Sequence, residues 1–145
     1  MPDSDPAISL TVEDAPNPAD VTYVKDQLNA YSARATGYTE YRPLAVFLRD
    51  GDGRIIAGLT GFTWGGALKI GYVWVQEEYR RQGYGTRLMA AAEREAIARG
   101  CRQAVLDTHS FQAPDFYPKL GYVQCGLAED WPVGYQQHYF TKRLA

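Results

Sequence analysis

The sequence predicts an α/β fold: a single mixed sheet of about seven strands, with an antiparallel meander in its N-terminal half, a parallel pair at its centre, and flanking helices. Three observations point there. Short segments of alternating or continuous apolar character are interleaved with stretches of helical periodicity. Glycine-rich turns join successive apolar runs in the first half. Later, a strand, a helix and a second strand follow one another closely, a succession that makes the two strands parallel through a right-handed crossover.

Taken in order, Ile8-Ser9-Leu10-Thr11-Val12 alternates apolar and polar residues and reads as a first strand. Pro16-Asn17-Pro18 interrupts the chain. From Asp20, the residues Val21, Val24, Leu28 and Tyr31 recur at helical spacing, and the helix fades at Thr36-Gly37. Leu44 to Leu48 is a continuous apolar run, and Asp50-Gly51-Asp52-Gly53 turns it into a second strand from Ile55 to Trp64. Gly65-Gly66 turns again into Leu68 to Val75, which is apolar on both faces, as for a strand covered by helices on either side.

The period then changes. Gly85, Leu88, Met89, Ala92 and Ala96 share one helical stripe, Glu95 and Arg99 form an i,i+4 pair in the favourable order, and Gly100 stops the helix. Ala104-Val105-Leu106 follows as a buried strand, Ala113 to Leu120 as a short helix, and Tyr122 to Cys125 as another strand. A Gly- and Pro-containing loop, Glu129 to Gly134, leads to a last strand over His138 to Thr141. With no repeat or linker, residues 1–145 read as one domain.

Composition narrows the function. The 145 residues are 46% hydrophobic and 22% charged, an ordinary globular balance. Fifteen basic against seventeen acidic residues give a net charge of -2, so there is no bulk electrostatic attraction to nucleic acid. No apolar stretch is long enough to span a membrane, and the acidic, Pro-broken start is unlike a signal peptide. Cys101 and Cys125 are too few for a disulfide framework and read as small buried residues, and the two His lie at no metal-binding spacing. A cytoplasmic, metal-free protein is expected.

The chemistry lies where the strand ending at Val75 hands over to the long helix. Arg80 and Arg81 are followed by Gly83 and Gly85, and the helix begins at once. Backbone N–H groups at a helix start, reinforced by the helix dipole, arginine charge and the close approach that glycine allows, make an anion cradle. A dinucleotide fingerprint would need a third glycine where Leu88 stands, and no P-loop Gly-Lys-Ser/Thr ending is present.

What remains is Arg-x-x-Gly-x-Gly over Arg80 to Gly85, and a second element, Phe116-Tyr117-Pro118-Lys119-Leu120-Gly121-Tyr122, further along the chain. With these two elements in register, the sequence resembles the GNAT superfamily of acyl-coenzyme A-dependent N-acetyltransferases over nearly its whole length. The resemblance implies that the backbone amides of Arg81, Gln82, Gly83, Tyr84, Gly85 and Thr86, beside Arg80, wrap the pyrophosphate of acetyl-coenzyme A. It implies that the preceding strand splays from its parallel neighbour, so that the backbone of Val73 and Val75 pairs with the pantetheine arm. Ala113 matches the family's small residue near the second element. Tyr117 matches the tyrosine that protonates the departing thiolate, a role suited to a phenol that is protonated at neutral pH. Where the family frequently has Asn to hold pantetheine, this chain has Ser110, with Gln112 nearby as a substitute amide.

No general base is evident on the strand from Leu68 to Val75. Asp107, His109, Glu77 and Glu78 are the candidates, without a choice among them. Tyr38, Tyr41, Trp64, Tyr72, Trp74, Asp130, Trp131 and Tyr135 are candidates for an aromatic, partly acidic acceptor pocket, while His138 reads as structural. The expected activity is transfer of an acetyl group from acetyl-coenzyme A to a primary amine, on a small molecule or a peptide, by direct transfer in a ternary complex. The alternative is a coenzyme A-binding sensor without turnover. The resemblance also makes a homodimer a reasonable assembly.

Overall fold

In the computed structural model, which describes residues 7–145, the chain divides into two compact units, Met1–Thr39 and Glu40–Ala145. The first holds helix α1, Pro18–Thr36. It starts two residues earlier than its apolar periodicity suggests because the Asn17 side chain accepts a hydrogen bond from the Ala19 N–H at 2.9 Å and Pro18 supplies a preset first helical residue. Gly37, at φ 80°, closes it by donating to the Ala33 carbonyl.

The expected first strand at Ile8–Val12 does not form. Ile8, Leu10 and Val12 are exposed, and the segment joins no ladder among the described residues. Alternating polarity stabilises a strand only where an edge accepts its main-chain groups and a core accepts its apolar face. The sheet therefore has six strands rather than seven.

Those six lie in the second unit: β1 (Arg42–Arg49), β2 (Ile55–Trp64), β3 (Ala67–Val75), β4 (Gln103–His109), β5 (Val123–Glu129) and β6 (Gln136–Arg143), in the spatial order β1-β2-β3-β4-β6-β5. Helix α2, Tyr84–Ala98, connects β3 to β4, the single parallel pair, and every other pairing is antiparallel. The mixed sheet, meander and parallel centre are as the sequence predicts. The helix expected over Ala113 to Leu120 is instead a run of turns ending in a short 3-10 turn at Pro118–Leu120, because Pro114, Pro118 and the left-handed Gly121 leave too few residues to propagate a helix.

The core lies between α2 and one face of the sheet. Leu59, Leu68, Leu88 and Met89 are fully buried, and Ala92 and Ala96 let the helix approach closely. Cys101 joins this core, but Cys125 is exposed on the edge strand β5, contrary to the expectation that both cysteines are buried.

Strand β3 departs from its sequence reading in an informative way. Thr60 faces Tyr72 whereas Gly61 faces Ile70, so Gly71 is an extra residue, a β-bulge. Leu68 and Ile70 point into the core before it, and Val73 and Val75 pack against the core after it. Tyr72 and Trp74 are left exposed. The continuous apolar run thus reflects a change of side-chain phase at a bulge, rather than coverage of both faces.

Arg99, at the end of α2, does more than pair with Glu95 at 2.8 Å. Its Nη1 donates to the carbonyls of Arg42 and Pro43 and to the Thr63 hydroxyl, tying the helix end to β1 and β2. Arg99→Ala should lower the unfolding free energy by about 2 kcal/mol, because partly buried acceptors lose a charged donor. Urea denaturation should show this as a lower midpoint with unchanged slope.

Candidate active site

The parallel pair is short. Ala67, Leu68 and Lys69 face Gln103, Ala104 and Val105, and beyond that β3 and β4 have no further register. From Ile70 onward the β4-facing edge of β3 borders a cleft of about 830 Å³, within the range of small-molecule sites. Both strands continue, held by β2 on one side and β6 on the other, so the gap is built into the sheet.

The segment after β3 forms one end of this cleft. A short 3-10 turn, Glu77–Tyr79, brings the chain round, and the Arg80 Nε donates to the Val75 carbonyl at 2.8 Å. Arg81 then takes φ 64° and Gly83 φ 84°, so two residues of left-handed backbone stand just before α2. Such alternation turns successive N–H groups toward one concavity. The first helix–loop bond runs from the Arg87 N–H to the Gly83 carbonyl. No side chain caps the helix, and among the described residues the N–H groups of Arg81 through Thr86 have no acceptor within the chain. Six unsatisfied donors at the positive end of a helix dipole, with no acidic residue in its first turn, form an anion-binding arrangement.

Gly83 serves conformation and Gly85 serves packing: a Cβ at Gly85 would stand 3.3 Å from Cζ of Phe116. That contact brings the segment preceding β5 against the start of α2. Next to it, Tyr117 is 7% exposed, its ring set among Phe116, Tyr122 and Phe140. Its hydroxyl has no hydrogen-bond partner among the described residues, and burial raises its pKa above the ordinary phenol value. Behind it, the Tyr122 hydroxyl donates to Glu93 of α2 at 2.9 Å, and Lys142 donates to the same carboxylate at 2.7 Å. Burial first, then the Glu93 charge and its hydrogen bond, push the Tyr122 phenol up strongly.

Val73, Val75, Arg80, Arg81, Gly83, Tyr84, Gly85, Thr86, Ala113 and Tyr117 all line the one cleft. Gln82 is directed elsewhere, its amide donating to the Glu78 carbonyl. Ser110 is also outside the lining: its hydroxyl accepts from the Gln136 N–H, joining β4 to β6. Gln112 lines the cleft instead, its carbonyl oxygen fixed by the Thr108 hydroxyl and the His109 N–H, which leaves its amide nitrogen available.

Of the base candidates, Asp107 alone lines the cleft. His109 stacks on Phe111, packs edge-on to Trp131 and bonds the Trp131 carbonyl through Nδ1, and Glu77 and Glu78 lie on the outer turn. The acceptor-pocket candidates separate. Tyr72 and Trp74 line the cleft, Tyr41 stacks on Trp64, and Trp131 and Tyr135 join His109 and Phe111 in another cluster. Asp130 bonds the Gly134 N–H within its own loop, and Tyr38 belongs to the other unit. His138 stacks on Phe140 and bonds Gln124, a structural role. Sequence reasoning missed Lys69 and Gln137, which bracket Asp107. The available signal was Lys69, a single charge inside an otherwise apolar strand.

A mixed sheet with a splayed parallel pair facing a helix start rich in free amides is an α/β arrangement suited to an anionic ligand, and the comparisons identify its family. Residues 9–122 match the family model described as "Acetyltransferase (GNAT) family". An acetyltransferase of Agrobacterium fabrum is 35% identical over 121 residues, covering 83% of this chain and 88% of that protein. Blasticidin-S acetyltransferase of Streptomyces morookaense is 35% identical over 115 residues, covering 77% and 85%. The crystal structure of an acetyltransferase from Bacillus cereus superposes with a TM-score of 0.81 at 34% identity, covering 93% of this chain and 98% of that one. The chain therefore belongs to the GNAT acetyltransferase family.

Two measurements test the local physics. Gly83→Ala places a Cβ on a left-handed residue and should cost about 1–2 kcal/mol, whereas Gly51→Ala, with no positive φ and open space around it, should be neutral. For both Tyr117 and Tyr122 the folded pKa is raised above the ordinary 10.0. As pH rises the unfolded chain thus loses protons first, so stability should hold to about pH 9 and fall above about pH 10. Tyr122→Phe should flatten that fall, as read by urea denaturation across the alkaline range.

Proposed function

We propose that the protein is an N-acetyltransferase that moves an acetyl group from acetyl-coenzyme A to a primary amine by direct transfer in a ternary complex. One observation carries this reading: Arg81, Gly83, Tyr84, Gly85 and Thr86, whose amides are free, and the Tyr117 phenol line the same cleft, at the gap between β3 and β4. The amides and the Arg80 and Arg81 charges suit a diphosphate, and the unpaired edge of β3 suits an amide-bearing arm. The acetyl thioester, when bound, supplies an activated acyl carbon.

The chain's own residues supply position and protons. The main-chain edge at Val73 and Val75 fixes the arm, and an N–H near Val75 polarises the carbonyl. Gln112, rather than Ser110, offers the side-chain amide. The attacking nitrogen forms the new N–C bond as the C–S bond breaks. Tyr117 gives its proton to the departing sulfur and is reprotonated as the amine loses one. Its burial keeps it protonated at neutral pH, and the same dry surroundings disfavour a bare thiolate, so the transfer is favoured on both sides. The relative named for blasticidin S supports a small-molecule amine as acceptor.

Thiol release from acetyl-coenzyme A across a panel of amines tests the reading. Amine-dependent release is expected, and tight coenzyme A binding with no release for any amine would overturn it in favour of a sensor. Tyr117→Phe should lower kcat by about a hundredfold with nearly unchanged coenzyme A affinity by calorimetry.

A further inference from the structure

The polar cluster at the point where β3 and β4 part has a composition that the steps above do not use. Lys69 is the last residue of β3 paired with β4, and its Nζ lies 2.9 Å from Oδ1 of Asp107. Asp107 stands two residues past Val105, the last residue of β4 paired with β3, and lines the cleft. Its other oxygen, Oδ2, accepts from the Nε2 of Gln137 on β6. Because a carboxylate only accepts, that bond fixes which end of the amide faces Asp107. The Gln137 Oε1 is then left over. The residue is 3% exposed, and this oxygen is the one buried side-chain polar atom among the described residues without a hydrogen-bond partner.

A buried carbonyl without a donor costs free energy, and such atoms in a folded protein call for an explanation. Here the oxygen sits on the same amide that touches Asp107. The carboxylate oxygens hold one partner each and have lone pairs to spare. Asp107 thus presents an acceptor to the cleft, and Gln137, buried behind it and outside the cleft lining, carries a second acceptor on the amide that touches Asp107. The cluster also carries no net charge, since Lys69 balances Asp107, so it gives little Coulombic reward to a cation and places an ammonium near Lys69.

We propose that Asp107 and Gln137, with Lys69 as counter-charge, form the acceptor-recognition site, and that it takes a primary amino group in its uncharged –NH2 form, one N–H to each acceptor. This rests on the reading of the cleft as an acetyl-transfer site and extends it. Donating both hydrogens leaves the nitrogen lone pair unengaged, the state in which it can attack. Binding requires the Gln137 amide to tip toward the cleft, a rotation its broad terminal torsion allows. The acceptors selected are amino groups that are largely neutral at physiological pH, in preference to strongly basic alkylamines.

Calorimetric titration of the coenzyme A-loaded protein with aniline, N,N-dimethylaniline and benzylamine at about pH 7.5 tests this: aniline is then uncharged, benzylamine is an ammonium ion, and dimethylaniline has no N–H to give. Aniline should bind about tenfold or more tightly than either of the others, and benzylamine should gain affinity as the pH rises through its own pKa. Asp107→Asn and Gln137→Leu should each remove the preference for aniline over dimethylaniline. Tightest binding of benzylamine at about pH 7.5, equal binding of aniline and dimethylaniline, or no binding of any probe would overturn the proposal. The three-probe comparison on the unaltered protein decides even if a variant fails to fold. Coenzyme A is titrated first: absence of its heat would remove the acetyl-transfer reading, and the probes on the free protein would still test the amine site.

Discussion

Main-chain hydrogen bonding that stops while the chain goes on is the constraint from which the rest of this molecule follows. β3 and β4 pair over three residues and then part, yet both remain strands because outer neighbours hold them. Main-chain N–H and C=O groups in a half-buried place need partners, and a sheet that withholds them internally needs them from outside. The free amides of residues 81–86 pose the same demand a few residues later. Two adjacent stretches of free backbone together make an extended polar track, in which the Arg80 side chain meets the Val75 carbonyl.

The bulge at Gly71 lets β3 serve two masters. Before it, Leu68 and Ile70 anchor the strand to α2 through the core. After it, Val73 and Val75 take over that role, and Tyr72 and Trp74 swing to the outer face. Without the extra residue, the side chains beyond the splay would alternate in the opposite sense, and Tyr72 and Trp74 would be directed at the space that Val73 and Val75 now fill. The added twist of a bulge also turns the strand away from a neighbour it no longer pairs with. Core packing and cleft opening are thus consequences of one inserted residue.

Much of this was legible in the residues, for identifiable reasons. Periodicity located the meander and α2, because local pattern and tertiary burial agree there. Arg80 to Gly85 revealed the amide cradle, since left-handed backbone at a helix start leaves a glycine signature. Ile8–Val12 misled, because alternation records a capacity to pair and says nothing of whether an edge is offered. Ala113–Leu120 misled because its apolar spacing serves an irregular turn wedged against Gly85, a contact between distant positions. Ser110 and Gln112 are close neighbours in sequence, and which of them lines the cleft and which bridges to β6 is decided by the way β4 ends. Gln137 was invisible: a glutamine in a half-polar strand acquires meaning only when register sets it beside Asp107.

The surroundings of Tyr117 show how an irregular segment can be made rigid enough to hold one phenol in place. It lies in no regular helix, so its position cannot come from an intrahelical ladder. Its carbonyl instead accepts from both Leu120 and Tyr122, which fixes the main chain on its C-terminal side. The ring of Tyr122 packs edge-on to it, and the Tyr122 hydroxyl is held by Glu93 of α2, which Lys142 of β6 also grips. On the other side, Phe116 presses against Gly85, in the first turn of α2 and near the end of the amide cradle. The phenol is therefore referenced to α2 at both ends, through Gly85 in the first turn and Glu93 further along. Any shift of the helix start would carry Tyr117 with it. The anion-binding arrangement and the proposed proton donor thus keep a common frame, even though more than thirty residues of chain separate them.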